Sequence, residues 1–136
     1  MTRVGTVTAI LHNAQRQVLL HQRDEKPGLV FAGYWSTLGG KIEADESPIE
    51  AMYRELKEEI GVTVPVTLWK VYDRVVSPTL TIVQHVFTGR IEYALSDLVL
   101  MEGQDLKYFS AEALTALPIA FGFDVLLAEF FAQEKF

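Results

Sequence analysis

One stretch of the chain carries its own start signal, stop signal and buried face. Ser47-Pro48-Ile49-Glu50 has the Ser-x-x-Glu spacing of a capping box with Pro at the first helical position, and Gly61 supplies a left-handed stop. Between them Ile49, Met52, Tyr53, Leu56 and Ile60 recur at helical spacing, so residues 48 to 60 are predicted to fold as an amphipathic helix. On both sides the pattern changes to runs rich in Val, Ile, Thr and Leu. Residues 3 to 11 and 17 to 22 read as a β-hairpin across the polar His12-Asn13-Ala14-Gln15-Arg16. Residues 62 to 76 and 80 to 91 read as strands joined by Ser77-Pro78-Thr79, and Leu106 to Phe109 as a shorter one. Ala111 to Leu117 and Phe121 to Gln133 read as further helices, the second with Leu126, Leu127, Phe130 and Phe131 spaced for a buried face. A chain with this order is expected to be α/β, with a mixed sheet.

Composition narrows the functional classes. The 136 residues, 49% hydrophobic and 22% charged, suit one compact domain spanning residues 1 to 136. Twelve Lys and Arg against eighteen Asp and Glu give a net charge of −6, a field that opposes a nucleic-acid polymer as partner. Small phosphorylated ligands stay open, because divalent cations held by carboxylates reverse the field locally. The absence of Cys removes disulfides, thiolate zinc sites and cysteine nucleophiles. No apolar run has the length of a membrane span or a signal-peptide core, so neither membrane partners nor export is expected and the expected address is the cytoplasm.

The predicted helix also carries chemistry. Glu55, Glu58 and Glu59 are spaced i, i+3 and i+4, which gathers three carboxylates on one patch. Arg54, four residues before Glu58, offsets part of their repulsion, and a bound cation would offset more. The plain alternative is a solvated acidic face. Oxygen donors without Cys or His suit a hard ion, Mg2+ with Mn2+ as a substitute, rather than zinc. Gly39 and Gly40 would let backbone approach such an ion closely enough for the Gly40 carbonyl to join the ligands, unless they serve only as turn glycines.

The wider spacing reads Gly40, five residues, Glu46, seven residues, Arg54-Glu55-Leu56, one residue, Glu58-Glu59, one residue, Gly61-Val62. This resembles the signature of the Nudix hydrolase superfamily at every defined position from 40 to 62. The resemblance, which is to MutT-like members, implies an α/β/α sandwich with the mixed sheet between helices. It also implies a Mg2+-dependent pyrophosphohydrolase acting on a small nucleotide. By the same resemblance Glu55, Glu58 and Glu59 hold the metal, Arg54 orients their carboxylates and Glu46 braces the loop against the helix. Glu102-Gly103-Gln104 is similar to the Glu-Gly-Gln loop of the family, which makes Glu102 a further ligand or the base that activates water. Glu55 is the other candidate base, and Glu92 and Asp97 are alternatives to Glu102. The implied reaction is water attack at phosphorus, turning a nucleoside triphosphate, oxidised or not, into the monophosphate and pyrophosphate. Nucleotide sugars or ADP-ribose-type compounds are the alternative substrates, and a non-catalytic nucleotide-sensing module is the alternative use of the fold.

Substrate-contacting candidates lie outside the signature. Arg23 ends the second strand where MutT-like members carry a substrate-contacting Arg, and a guanidinium suits bidentate phosphate binding, with a surface salt bridge as the competing use. Lys41 follows the two glycines. Phe31, Tyr34 and Trp35, in the irregular segment from Arg23 to Trp35, offer faces for base stacking, with core packing as the competing use. Phe121 stands where MutT-like members carry a base-reading Asn, and Leu38 where they carry Pro; both departures open the question of the base. His12, His21 and His85 are isolated and lack the paired spacing of ligands. The aromatics of Phe130-Phe131-Ala132-Gln133-Glu134-Lys135-Phe136 either cap the core or contribute to a homodimer contact.

Overall fold

In the computed structural model, which describes residues 1–136, the hairpin forms from β1 (Thr2–His12) and β2 (Gln17–Gln22). Asn13 closes the turn by accepting backbone N–H bonds from Gln15 and Gln17 through Oδ1. The chain then runs through a long loop to β3 (Trp35–Ser36) and β4 (Leu38–Lys41), and on to α1 (Pro48–Ile60). β5 (Thr67–Ser77) and β6 (Leu80–Arg90) form the second hairpin, and β7 (Asp105–Ser110), α2 (Ala111–Leu114) and α3 (Phe123–Phe131) complete the chain. The sheet is mixed: β1 and β6 run parallel along the whole of β1, and the other pairs are antiparallel.

β1 and β2 pair only beside their turn, at His12 opposite Val18, and then splay apart. β4 pairs with β1 over Thr6 to Ala9 and β3 pairs with the end of β2, so the β3–β4 segment wedges into the opening. This gap in the sheet positions the site described below.

Alternation along each strand divides the core in two. On one face Val7, Ala9, Leu11, Leu19 and Phe87 pack with Ala51, Met52, Leu56 and Ile60 of α1. On the other Ile10, Val18, Leu20, Trp35 and Val86 pack with Phe123, Leu126, Leu127 and Phe130 of α3. The result is the expected α/β/α sandwich. The capping box of α1 forms, with Glu50 N–H donating to Ser47 Oγ and Ser47 N–H to Glu50 Oε1, and Gly61 ends the helix at φ 78°.

Three sequence expectations shift. β5 begins at Thr67 rather than at residue 62, because the stretch after the helix stop includes Pro65 and makes no ladder before Thr67. α3 begins at Phe123 rather than at residue 121, since Phe121 (φ 61°) and Gly122 (φ 72°) both adopt left-handed backbone. α2 stops at Leu114 instead of reaching residue 117, with Pro118 close behind. At the C-terminus Phe130 is core and Phe136 folds back on it at 4.3 Å, beneath Arg16 at 4.1 Å from its ring. No helix is long and apolar enough to cross a membrane.

Because the wholly buried Leu56 links α1 to the sheet, Leu56→Ala is expected to cost about 2–5 kcal/mol of stability in urea unfolding. A loss below about 1 kcal/mol would contradict the packing described.

Candidate functional site

α1 presents Glu55 and Glu59, one turn apart, to the sheet. Glu59 is 1% exposed and Glu55 9%, unusual burial for carboxylates. Glu58, one position away, points outward and is half exposed. Glu102 joins the first two from across the fold, and one ligand oxygen from each of Glu55, Glu59 and Glu102 lies within 4.8 Å of the others. Glu58 stands outside this trio. Glu92, 80% exposed near Arg90, and Asp97, which accepts the Ala94 N–H, lie elsewhere.

Arg54 organises the outer side. Its Nε and Nη2 donate to the two Glu46 oxygens at 2.6 and 2.9 Å, its Nη1 to Glu55 at 3.0 Å and Glu58 at 3.2 Å, and Nη2 also to the Lys41 carbonyl at 3.0 Å. These bonds raise the Arg54 pKa further and hold Glu46 below the usual carboxylate range. Glu46 in turn accepts the Glu43 N–H at 2.8 Å, which fixes the loop ahead of the helix.

The Glu102 loop is placed by the end of α1. Val99 N–H donates to the Ile60 carbonyl and Met101 N–H to the Glu59 carbonyl at 2.9 Å, using acceptors that a helix end leaves free. Gly103 (φ 87°) follows, and a Cβ there would sit 2.5 Å from the Gln22 carbonyl and 3.0 Å from His21 Nδ1. Gln104 then donates from its backbone to Gln22 and from its side chain to the Arg23 carbonyl. The Glu-Gly-Gln sequence therefore has a local physical reason: a tight turn that pins Glu102 beside Glu59.

The electrostatics follow from burial. Desolvation pushes Glu59 up to about 9, reinforced by Glu102 and Glu55 and opposed by the Gly39 backbone N–H. Desolvation also raises Glu55, against the Arg54 hydrogen bond. His21, 3.9 Å from Glu59, is lowered to about 4 by its own burial and by Arg23. Glu59 Oε2 is buried without a hydrogen-bond partner. The backbone of Gly40 lies so close to Glu55 that a Cβ would stand 2.6 Å from its carboxyl carbon. An all-oxygen set with one orphaned buried oxygen fits a hard divalent cation.

Of these carboxylates, Glu59 and Glu102 line a cleft of about 190 Å³ that passes through the gap between β1 and β2, with Glu55 behind them. Arg23 and Lys41 line it, as does Phe121, whose ring centre is 5.0 Å from the Arg23 guanidinium carbon. Trp35 does not line it. Trp35 is 7% exposed and meets Phe109 edge-on at 4.9 Å, so its face is used in the core rather than for stacking. Tyr34 is 39% exposed and tilts against Phe31, also outside the cleft lining. Arg74, Gln84 and Thr6 line the cleft and were not singled out from sequence. Their signal was present as a polar residue at the inward parity of a strand, Gln84 standing between the buried Ile82 and Val86.

A model of the NUDIX domain matches residues 2–130. The chain belongs to the Nudix family. The RNA pyrophosphohydrolase of Gluconacetobacter diazotrophicus is 41% identical to this Nudix domain over 75 residues, covering 49% of this chain and 45% of that protein. The CTP pyrophosphohydrolase of Escherichia coli is 40% identical over 62 residues, covering 46% and 44%. The matched stretch is thus under half the length of either curated relative. Among solved structures, the MutT protein of Methanosarcina mazei matches with a TM-score of 0.79 at 26% identity, over 98% of this chain and 96% of that one.

The raised Glu59 makes a prediction whose sign follows from linkage. Folded, this Nudix domain keeps the Glu59 proton to about pH 9, whereas the ordinary value is 4.5. The folded state binds more protons across that window, so the Glu59 contribution to stability falls as pH rises. Without divalent metal, the stability of Glu59→Gln minus that of wild type, from urea midpoints, is expected to grow more positive from pH about 5 to about 9. A difference that stays flat with pH would contradict the burial of an ionisable Glu59.

Proposed function

We propose that this Nudix domain is a divalent-metal-dependent pyrophosphohydrolase. It converts a nucleoside triphosphate, with oxidised forms among the substrates to be tested, to the monophosphate and pyrophosphate. The observation that carries this reading is the meeting of Glu55, Glu59 and Glu102, two of which, Glu59 and Glu102, line a cleft that also holds Arg23 and Lys41. The names of the two curated relatives, both pyrophosphohydrolases, support the same reaction class.

Glu55, Glu59 and Glu102 would hold Mg2+, or Mn2+ in its place, with Glu58 and the Gly40 carbonyl as the outlying donors. When bound, the cation supplies neutralising charge to phosphate oxygens and eases the deprotonation of water. Arg54 keeps Glu55 aimed, and its hydrogen bond opposes the rise that burial imposes on that carboxyl. Arg23 and Lys41 attract the phosphate chain and offset the charge that develops on the leaving group. The attacking water gives its proton to Glu55 or Glu102 while its oxygen bonds to phosphorus. The anhydride P–O bond breaks, and its electrons stay with the departing phosphate. The alignment that such a displacement needs comes from ligands held by one helix and by a loop docked on that helix.

The test is turnover of a nucleotide panel that includes oxidised triphosphates, nucleotide sugars and ADP-ribose, with products identified by mass spectrometry. Glu59→Gln and Glu55→Gln are expected to lose about 10²–10⁴-fold in kcat with the circular dichroism spectrum unchanged. Equal turnover in these folded variants, or turnover indifferent to chelator, would overturn the proposal. Metal-dependent cleavage confined to nucleotide sugars or ADP-ribose would replace the triphosphate by those substrates.

A further inference from the structure

Five buried side-chain atoms in this protein lack a hydrogen-bond partner: Thr6 Oγ1, His21 Nδ1, Glu59 Oε2, Arg74 Nε and Gln84 Nε2. All five residues line the same cleft. His21 and Glu59 belong to the carboxylate end. The other three lie at the opposite end, on the face of the sheet that α3 covers, because Thr6 shares the parity of Ile10, and Gln84 that of Val86. Thr6 stands directly opposite Gln84 across β1 and β6. Arg74 stands opposite Ile82 on β5, one diagonal step from Gln84. Gln84 is 2% exposed, so no bulk water offsets its unpaired amide.

A flat wall stands beside these groups. The Arg74 guanidinium carbon is 5.5 Å from the ring centre of Phe121, and Phe31 supports that ring edge-on at 5.0 Å. Phe121 keeps its place through left-handed backbone at φ 61°. Buried polar atoms are almost always paired, so unpaired ones gathered beside an aromatic face in an open cleft mark the atoms a ligand would satisfy.

We propose that Gln84, Arg74 and Thr6 read the nucleobase of the substrate, and that they select a base edge with a carbonyl oxygen beside an unprotonated ring nitrogen. The unpaired nitrogens are both donors, and a guanidinium cannot accept. Cytosine offers such an edge at O2 and N3, and guanine at O6 and N7. Adenine sets an amino group beside its ring nitrogen, uracil an N–H at position 3, and 8-oxoguanine an N–H at position 7. Each of these points a donor at a donor. Thr6, whose hydroxyl both gives and takes, meets the remaining group on the edge, and Phe121 stacks on the ring. The inference deepens the pyrophosphohydrolase reading and rests on it for the substrate being a nucleotide.

The test separates base reading from catalysis. CMP, GMP, UMP, AMP and 8-oxo-GMP are titrated calorimetrically into the metal-free protein, and the corresponding triphosphates are then assayed with Mg2+. CMP or GMP is expected to bind at least about 10-fold more tightly than the other three, and whichever of the two prevails assigns the pocket to a pyrimidine or a purine. Arg74→Met and Gln84→Leu are expected to weaken that preferred nucleotide by about 10-fold and leave AMP unchanged. In turnover the same variants raise KM and hold kcat. Arg74, on the edge strand, keeps the test open if Gln84→Leu fails to fold. Binding that ranks all five alike, or that fails for all, overturns the proposal, as do variants that weaken every nucleotide equally. Selective binding with no turnover of the matching triphosphate overturns the pyrophosphohydrolase reading and leaves the base-reading surface standing. Turnover without selectivity does the reverse.

Discussion

The Arg54 guanidinium joins pieces of chain that would otherwise repel one another. It takes Glu46 with two N–H groups, Glu55 and Glu58 with a third, and the Lys41 carbonyl besides. A planar fork with five donors can serve this many acceptors at once, and a lysine ammonium could not. Through these bonds the end of β4, the loop before α1 and the helix itself hold one geometry. Glu55 and Glu59 can then be buried in a position where α1 alone would gain by turning them to solvent. The burial is costly for charged groups, and the orphaned oxygen of Glu59 shows where that cost is concentrated.

The opening between β1 and β2 gives the buried carboxylates access. A continuous sheet would have sealed α1 from the opposite face. Because the two strands part beyond their turn and a short segment is wedged between them, side chains from both faces line one cleft. Gly39 shows how tight the wedge is, since any side chain there would run into the backbone of Val7 and Thr8.

What could be read from the sequence was whatever is specified locally. The capping box, the apolar stripe and Gly61 define α1 without help from the rest of the chain, and the spacing of the carboxylates follows from the helix. Glu102 was legible only through the resemblance of Glu102-Gly103-Gln104 to the family's loop, and its physical reason, a turn at Gly103 with no room for a side chain, comes from the packing of distant segments. The remainder depends on distant parts of the chain. Glu58 satisfies the same spacing as its neighbours, yet only docking against the sheet decides that Glu55 and Glu59 turn inward while Glu58 pairs outward with Arg54. Trp35 and Tyr34 are adjacent aromatics of one loop, and the two-residue strand that carries Trp35 into the core exists only because β2 has a free edge there. Phe121 looked like the first residue of a helix, since nothing in its neighbours announces left-handed backbone at a bulky aromatic.

The division of the cleft between the two faces of the sheet has a consequence for how such a chain changes over generations. The carboxylates are fixed by a helix, an arginine and a docked loop, an arrangement that fails if any one piece is exchanged. Thr6, Arg74 and Gln84 sit on strands whose backbone pairing does not depend on which side chain they carry. Replacements at those three positions alter the far end of the cleft and leave the acidic end as it was. One scaffold can therefore accumulate new ligand preferences step by step while the acidic end keeps its chemistry.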